Sequence, residues 1–241
     1  MTSPDTEAEH VEATNLLYRD PALYDLVQAD STSAATCLSL IERYRPEART
    51  LVDFGCGTGR DLEVLAERFE CVGVDLQPGM VGHARRVRPE LDIRVGDMRT
   101  ARLGRRADVV TCVGNSLAYV HDDEEISQVF ATFAAHARPG ALLVLCSPVA
   151  PVSRTGPTTA AVDTPEGPAT VTVRYVWDPR TRIDTMYRHW ALPSGAEAED
   201  VILRRVLFPH ELERHAEGAG FEVLEVLAGP TAYTVARSTR P

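Results

Sequence analysis

Between residues 50 and 146, short apolar runs alternate with stretches of helical period, the pattern of strands and helices built around a parallel sheet. The run Leu51-Val52-Asp53-Phe54 predicts a buried strand that enters a glycine turn, and residues 60–69 follow as a helix with Leu62, Leu65, Ala66 and Phe69 on one face. A second strand spans 71–75. The turn Gln77-Pro78-Gly79 then opens a helix that runs to Arg88 and is stopped by Pro89. Residues 92–95 predict a third strand, and 107–113 a fourth that leads into Gly114-Asn115-Ser116. A helix over 123–138 turns Ile126, Val129, Phe130 and Phe133 inward. Pro139-Gly140 ends it, and 141–146 forms the fifth strand.

The pattern changes at Ser147. Residues 147–168 are rich in Pro, Thr, Ser and Gly without a steady period, which predicts a loop or lid. Residues 170–177 and 182–192 alternate as a hairpin around Asp178-Pro179-Arg180, and 200–208 adds a third strand. Such an antiparallel lobe would cover the carboxyl edge of the sheet or pair subunits in a homodimer. A helix over 209–219 and strands over 221–227 and 232–237 complete the sheet. This divides the chain into an N-terminal helical cap (1–49), a ligand-binding core (50–146), a covering loop with antiparallel strands (147–208) and a closing helix with two strands (209–241).

Composition narrows the partners. The formal net charge of -10 opposes phosphate-rich partners, so a small-molecule substrate is expected and nucleic acid is not. Five scattered cysteines without a C-x-x-C pair fit reduced thiols, and the seven histidines have no ligand spacing, so no metal is expected. Residues 1–12 are acidic and polar, and no apolar stretch is long enough to span a bilayer. The reading is therefore a cytoplasmic protein without a membrane partner.

The candidate chemistry lies in Asp53-Phe54-Gly55-Cys56-Gly57-Thr58-Gly59. Alternate glycines between a buried strand and a helix let a ligand approach the backbone closely. Arg60 and Asp61 stand where a dinucleotide loop would want another small residue, and Asp53 would repel a pyrophosphate but hold a cationic amino acid. Asp75 ends the second strand, where a carboxylate can accept both hydroxyls of a ribose, and Asp97 follows the third. Any one of these acids could be a helix cap or a solvated turn residue. Three at successive strand ends converge on one crevice outside the sheet's carboxyl edge.

These residues resemble the class I S-adenosylmethionine-dependent methyltransferases. The resemblance implies a Rossmann-like α/β fold with a seven-stranded, mostly parallel sheet, its last strand reversed and helices on both faces. The antiparallel lobe would be inserted after strand five. It also implies an S-adenosylmethionine site made by Tyr24, Asp53, Gly55, Cys56, Gly57, Gly59, Asp75, Leu76, Gly96, Asp97, Met98, Val113 and Gly114, with Asp75 on the ribose and Asp97 and Met98 flanking the adenine. Within that class the segments Gly96-Asp97-Met98-Arg99, Leu103-Gly104-Arg105, Ala118-Tyr119-Val120, Phe133-Ala134-Ala135-His136 and Leu23-Tyr24-Asp25-Leu26 are similar to bacterial N,N-dimethyltransferases of nucleotide-linked amino sugars in antibiotic pathways. Gly114-Asn115-Ser116-Leu117-Ala118-Tyr119 also looks like glycine N-methyltransferases.

Methyl transfer from a sulfonium requires alignment more than acid-base catalysis, so no triad is needed and none is visible. Tyr18 and Tyr24 fall on a predicted N-terminal helix that could fold over the donor or serve as amphipathic core. Tyr119 and His121 follow strand four, where an acceptor would enter, although a His before Asp122 and Asp123 can equally start a helix. Tyr18, Tyr119 and His121 are thus the candidate catalytic residues. The expected activity is N-methylation of a small amine such as a nucleotide-linked amino sugar in natural-product biosynthesis. O- or C-methylation of a natural-product scaffold and a non-catalytic donor-binding module are the alternatives, while a nicotinamide-dependent oxidoreductase is disfavoured by the glycine spacing.

Overall fold

The computed structural model describes residues 14–29, 32–228 and 232–241. The acidic stretch 1–12 and residues 229–231, before the last strand, lie outside the described residues. The central strand β1 (Thr50–Phe54) is buried along its whole length, as the unbroken apolar run requires. Around it a seven-stranded sheet assembles in the order β10-β11-β5-β4-β1-β2-β3. The flanking strands are β2 (Glu70–Asp75), β3 (Asp92–Val95), β4 (Ala107–Cys112) and β5 (Ala137–Ser147), with β10 (Phe221–Leu227) and β11 (Ala232–Ser238) at the far edge. β1 to β5 pair in parallel, and β11 runs antiparallel to both β5 and β10.

Period-two alternation sends successive residues of each strand into two cores. Val52 and Phe54 join Phe130 and Phe133 of α6 (Asp123–His136) and Leu212 of α7 (Pro209–Gly218). Leu51 faces the other way, toward α3 (Thr32–Tyr44), α4 (Arg60–Ala66) and α5 (Pro78–Val87), and packs with Ile41, Leu62, Leu65 and Val81. Among the described residues no helix is long and apolar enough to cross a membrane.

Four expectations change. The single N-terminal helix is two short ones, α1 (Leu16–Arg19) and α2 (Pro21–Val27), because Pro21 cannot continue a helix but can start one, and Asp20 caps the second. The α6 helix stops at His136, earlier than residue 138, and β5 begins at Ala137. Gly140, at a φ of 68°, lies within the register shift that lets Pro139 fit beside β4. The segment 147–168 is not wholly loop: β6 (Thr158–Thr164) forms there and pairs with β7 (Gly167–Asp178). With β8 (Ile183–Ala191) and β9 (Glu197–Arg205) these make a four-stranded antiparallel sheet in the order β6-β7-β8-β9. Its third sequence-predicted strand ends at Arg205, before Leu207-Phe208. Leu17 and Leu23 of the cap pack on Val171 and Trp190 of this lobe, so cap and lobe share a small core of their own.

Candidate functional site

The glycine turn is shaped by three left-handed residues, Gly55, Gly57 and Gly59, at φ of 76°, 56° and 81°. Two of them are also sterically required. A Cβ on Gly55 would stand 2.3 Å from the side chain of Ser116, and one on Gly59 would stand 2.5 Å from Ile93. The Gly55 and Cys56 N–H groups donate to the Val74 carbonyl at 2.7 and 3.2 Å, which folds the turn back over the end of β2. Gly57 N–H donates to Asp75 Oδ2 at 2.7 Å and Gln77 N–H to Asp75 Oδ1 at 2.8 Å. Asp75 is thereby fastened between two loops, each oxygen keeping lone-pair capacity for a ligand. Burial raises its pKa, against the opposing effect of those two N–H donors.

Asp75, Leu76, Asp97 and Met98 line a narrow crevice of about 60 Å³ together with Gly55, Ser116, Tyr18 and Tyr119. Asp97 is not free in it: Arg99 pairs with the carboxylate at 2.8 Å and continues to Glu125 at 3.0 Å. Gly96 sits behind, its N–H on the Asp75 carbonyl at 2.9 Å. A larger cavity of about 500 Å³ shares Tyr18 and Tyr119 with the crevice, and Tyr24, Cys56, Gly114, Asn115, Arg188 and Arg204 are among its lining residues. Gly114 and Asn115 are both left-handed at φ of 67°, so the chain doubles back after β4 and Ser116 Oγ reaches the Gly55 carbonyl at 3.1 Å. Val113, just before, is buried.

The three strand-end acids do not meet as the sequence suggests. Asp53 is 1% exposed and accepts from Thr111 Oγ1 at 2.7 Å, sealed beneath the turn outside the lining of either cavity. The alternation that sends Leu51 toward α3 and α4 takes Asp53 to the same face. Burial pushes its carboxyl up to about 8, with the Thr111 bond opposing.

Tyr18, Tyr24 and Tyr119 come together as an aromatic roof, with Tyr18 centred 6.3 Å from Tyr24 and 5.9 Å from Tyr119. Burial raises the pKa of all three above the ordinary phenol value, so they stand as neutral hydroxyls at neutral pH. The cap is held against the glycine turn by Asp25 on α2, which accepts from Thr58 Oγ1 and pairs with Arg88 at 2.8 Å and His83 at 3.3 Å. His121 is exposed and bonds the Leu203 carbonyl of β9 at 3.2 Å, outside the lining of both cavities.

Sequence reasoning missed Asn15, Arg188 and Arg204. The alternation of β8 and β9 gave a usable signal, because Arg188 falls in phase with Met186 and Trp190, and Arg204 with Ile202. Each arginine is neutralised by a buried acid: Arg188 by Asp200 at 2.8 Å and Arg204 by Asp184 at 3.0 Å.

Comparison with known proteins agrees with this architecture. A family model described as a methyltransferase domain matches residues 30–226. A dTDP-3-amino-3,6-dideoxy-alpha-D-glucopyranose N,N-dimethyltransferase of Streptomyces fradiae is 33% identical over 220 residues, covering 87% of this chain and 86% of the relative. A solved S-adenosylmethionine-bound amino pentose methyltransferase from Micromonospora echinaspora, involved in calicheamicin biosynthesis, superposes with a TM-score of 0.81 at 28% identity, over 91% of this chain and 96% of that one. DesVI of Streptomyces venezuelae gives 0.78 at 27% identity, over 95% and 98%. On the strength of the family match and of these relatives, the chain belongs to the methyltransferase-domain family.

Proposed function

We propose that this methyltransferase transfers methyl groups from S-adenosylmethionine to the amine of a nucleotide-linked amino sugar in natural-product biosynthesis. The observation that carries the reading is the fastened carboxylate of Asp75 on a crevice whose roof tyrosines also wall a cavity of small-molecule size. The residues present fit the donor. The glycine turn offers backbone without side chains, Asp75 retains lone pairs for a diol, and Leu76, Asp97 and Met98 supply a half-polar slot for a base. Tyr24, Cys56 and Gly114 would face the amino-acid end, with Gly57, Gly59, Gly96 and Val113 shaping the walls. Asp53, its carboxyl raised to about 8 by burial and held by Thr111, would act from beneath the turn by keeping the turn's shape rather than by charge or contact. Bound S-adenosylmethionine supplies a methyl group already activated on a sulfonium.

The protein's contribution is orientation. Tyr18 and Tyr119 present neutral hydroxyls at the junction of crevice and cavity, suited to aligning an amine by hydrogen bonds rather than to deprotonating it. Arg188 and Arg204, each neutralised by a buried acid, offer N–H donors along the cavity wall to polar groups of the acceptor. His121 contributes only if the chain beside β9 shifts. A net charge of -10 disfavours nucleic acid as a partner, and a homodimer belongs to the same reading, to be tested by sedimentation. The decisive assay offers the protein the donor with dTDP-3-amino-3,6-dideoxy-α-D-glucopyranose and, side by side, a phenolic acceptor. Mono- and dimethylated sugar nucleotide is the expected product, and turnover of the phenol alone would reject the amine.

A further inference from the structure

Tyr119 follows β4, and its hydroxyl is held by Tyr18 and by a residue 104 positions away: Asn15 Nδ2 lies 3.4 Å from it. Asn15 is the N-cap of α1 and only 3% exposed. Its Oδ1 accepts the Leu17 N–H at 3.1 Å and Arg188 Nη2 at 2.6 Å. Two donors on the oxygen fix the orientation of the amide, which leaves Nδ2 to face Tyr119. Arg188 is fixed in turn. Its Nε and Nη2 pair with Asp200 at 2.9 and 2.8 Å, and the fully buried Asp200 also accepts Trp190 Nε1 at 2.7 Å and the Leu16 N–H at 2.6 Å. One continuous chain of contacts therefore links the lobe, the cap and the wall shared by crevice and cavity.

A helix N-cap alone does not need an amide here. Asp, Ser or Thr would accept the Leu17 N–H equally well, and Asp would pair with Arg188 more strongly. An amide accepts from Arg188 and donates to Tyr119, whereas a carboxylate could join them only by accepting the Tyr119 O–H, which would turn that proton away from the acceptor cavity. We propose that Asn15 is a positioning residue for the methyl acceptor, setting the Tyr119 hydroxyl through the Asp200–Arg188 pair only while the cap is docked on the lobe. This rests on the reading above, in which Tyr119 faces the acceptor. It follows that the acceptor site is assembled by three distant segments and is incomplete whenever the cap is open.

The test compares Asn15→Asp, Asn15→Ala, Tyr119→Phe and the double variant Asn15→Asp/Tyr119→Phe in the full chain. Asn15→Asp keeps the cap and the Arg188 contact but cannot donate to Tyr119. Its melting temperature and its affinity for S-adenosylhomocysteine are expected to match the wild type, while kcat on dTDP-3-amino-3,6-dideoxy-α-D-glucopyranose falls about tenfold. Added to Tyr119→Phe, the same change has no further effect. Full activity in Asn15→Asp with loss only in Asn15→Ala would reduce Asn15 to a helix cap, and independent multiplication of the Asn15 and Tyr119 effects would also overturn the proposal. A readout that needs no acceptor is the ultraviolet titration of tyrosine with S-adenosylhomocysteine bound. The Tyr119 component, obtained by subtracting Tyr119→Phe, moves to higher pH in Asn15→Ala, a neutral change that removes the donor without adding a charge beside the phenol. If the wild type leaves the sugar unmethylated, the acceptor assignment fails while this titration still decides, and an unmoved Tyr119 rejects the role of Asn15.

Discussion

Asp75→Ala separates the two tasks given to that carboxylate. In the free protein it removes two short bonds, 2.7 Å from Gly57 N–H and 2.8 Å from Gln77 N–H. Hydrogen bonds to a charged group contribute about 1.5–3 kcal/mol each. Water reaching the half-exposed crevice re-satisfies part of that loss, and burial already taxes the ionised form. A fall in stability of about 2–4 kcal/mol is therefore expected. The donor then meets a site without its diol acceptor, and a further charged acceptor lost is about 1–3 kcal/mol, or roughly 5- to 150-fold in Kd. Thermal or chemical unfolding of the free protein measures the first effect, and calorimetric titration with S-adenosylhomocysteine the second. Lower stability with an unchanged Kd would leave Asp75 as a fastener of the loop and remove it from the donor site.

Other substitutions probe the turn and its cover. Because burial lifts the Asp53 carboxyl from 3.8 to about 8, the unfolded chain loses this proton first; the group's contribution to stability is complete below 3.8 and drains away as pH rises through about 8. Asp53→Asn is expected to flatten denaturant-derived stability across that window, and an unaltered slope would contradict the assignment. Gly55→Ala puts a Cβ against Ser116 at 2.3 Å on a left-handed backbone, so the backbone alone costs about 1–2 kcal/mol, visible as a lower melting temperature; equal melting would refute the steric argument. Asp25→Asn removes the charge that holds α2 to Arg88 and His83, and stopped-flow release of S-adenosylhomocysteine is expected to speed up about tenfold. An unchanged release rate would show that the cap does not gate the crevice.

The core strands and the glycine turn were legible because their determinants are local. The run Leu51-Val52-Asp53-Phe54, the three glycines and the acids after β2 and β3 carry burial, left-handed backbone and strand ends in consecutive residues. β6 was hidden because Thr158–Thr164 has little apolar alternation of its own and becomes a strand only by pairing with β7. Asp53 and Asp75 looked equivalent along the chain, but strand phase and the packing of α3 and α4 sealed one and left the other beside the crevice. The acceptor wall was beyond any reading along the chain. Asn15, Tyr119, Arg188 and Asp200 acquire a shared purpose only when cap and lobe meet over the sheet, since hydrogen bonds spanning 104 to 184 positions leave no periodic trace in sequence.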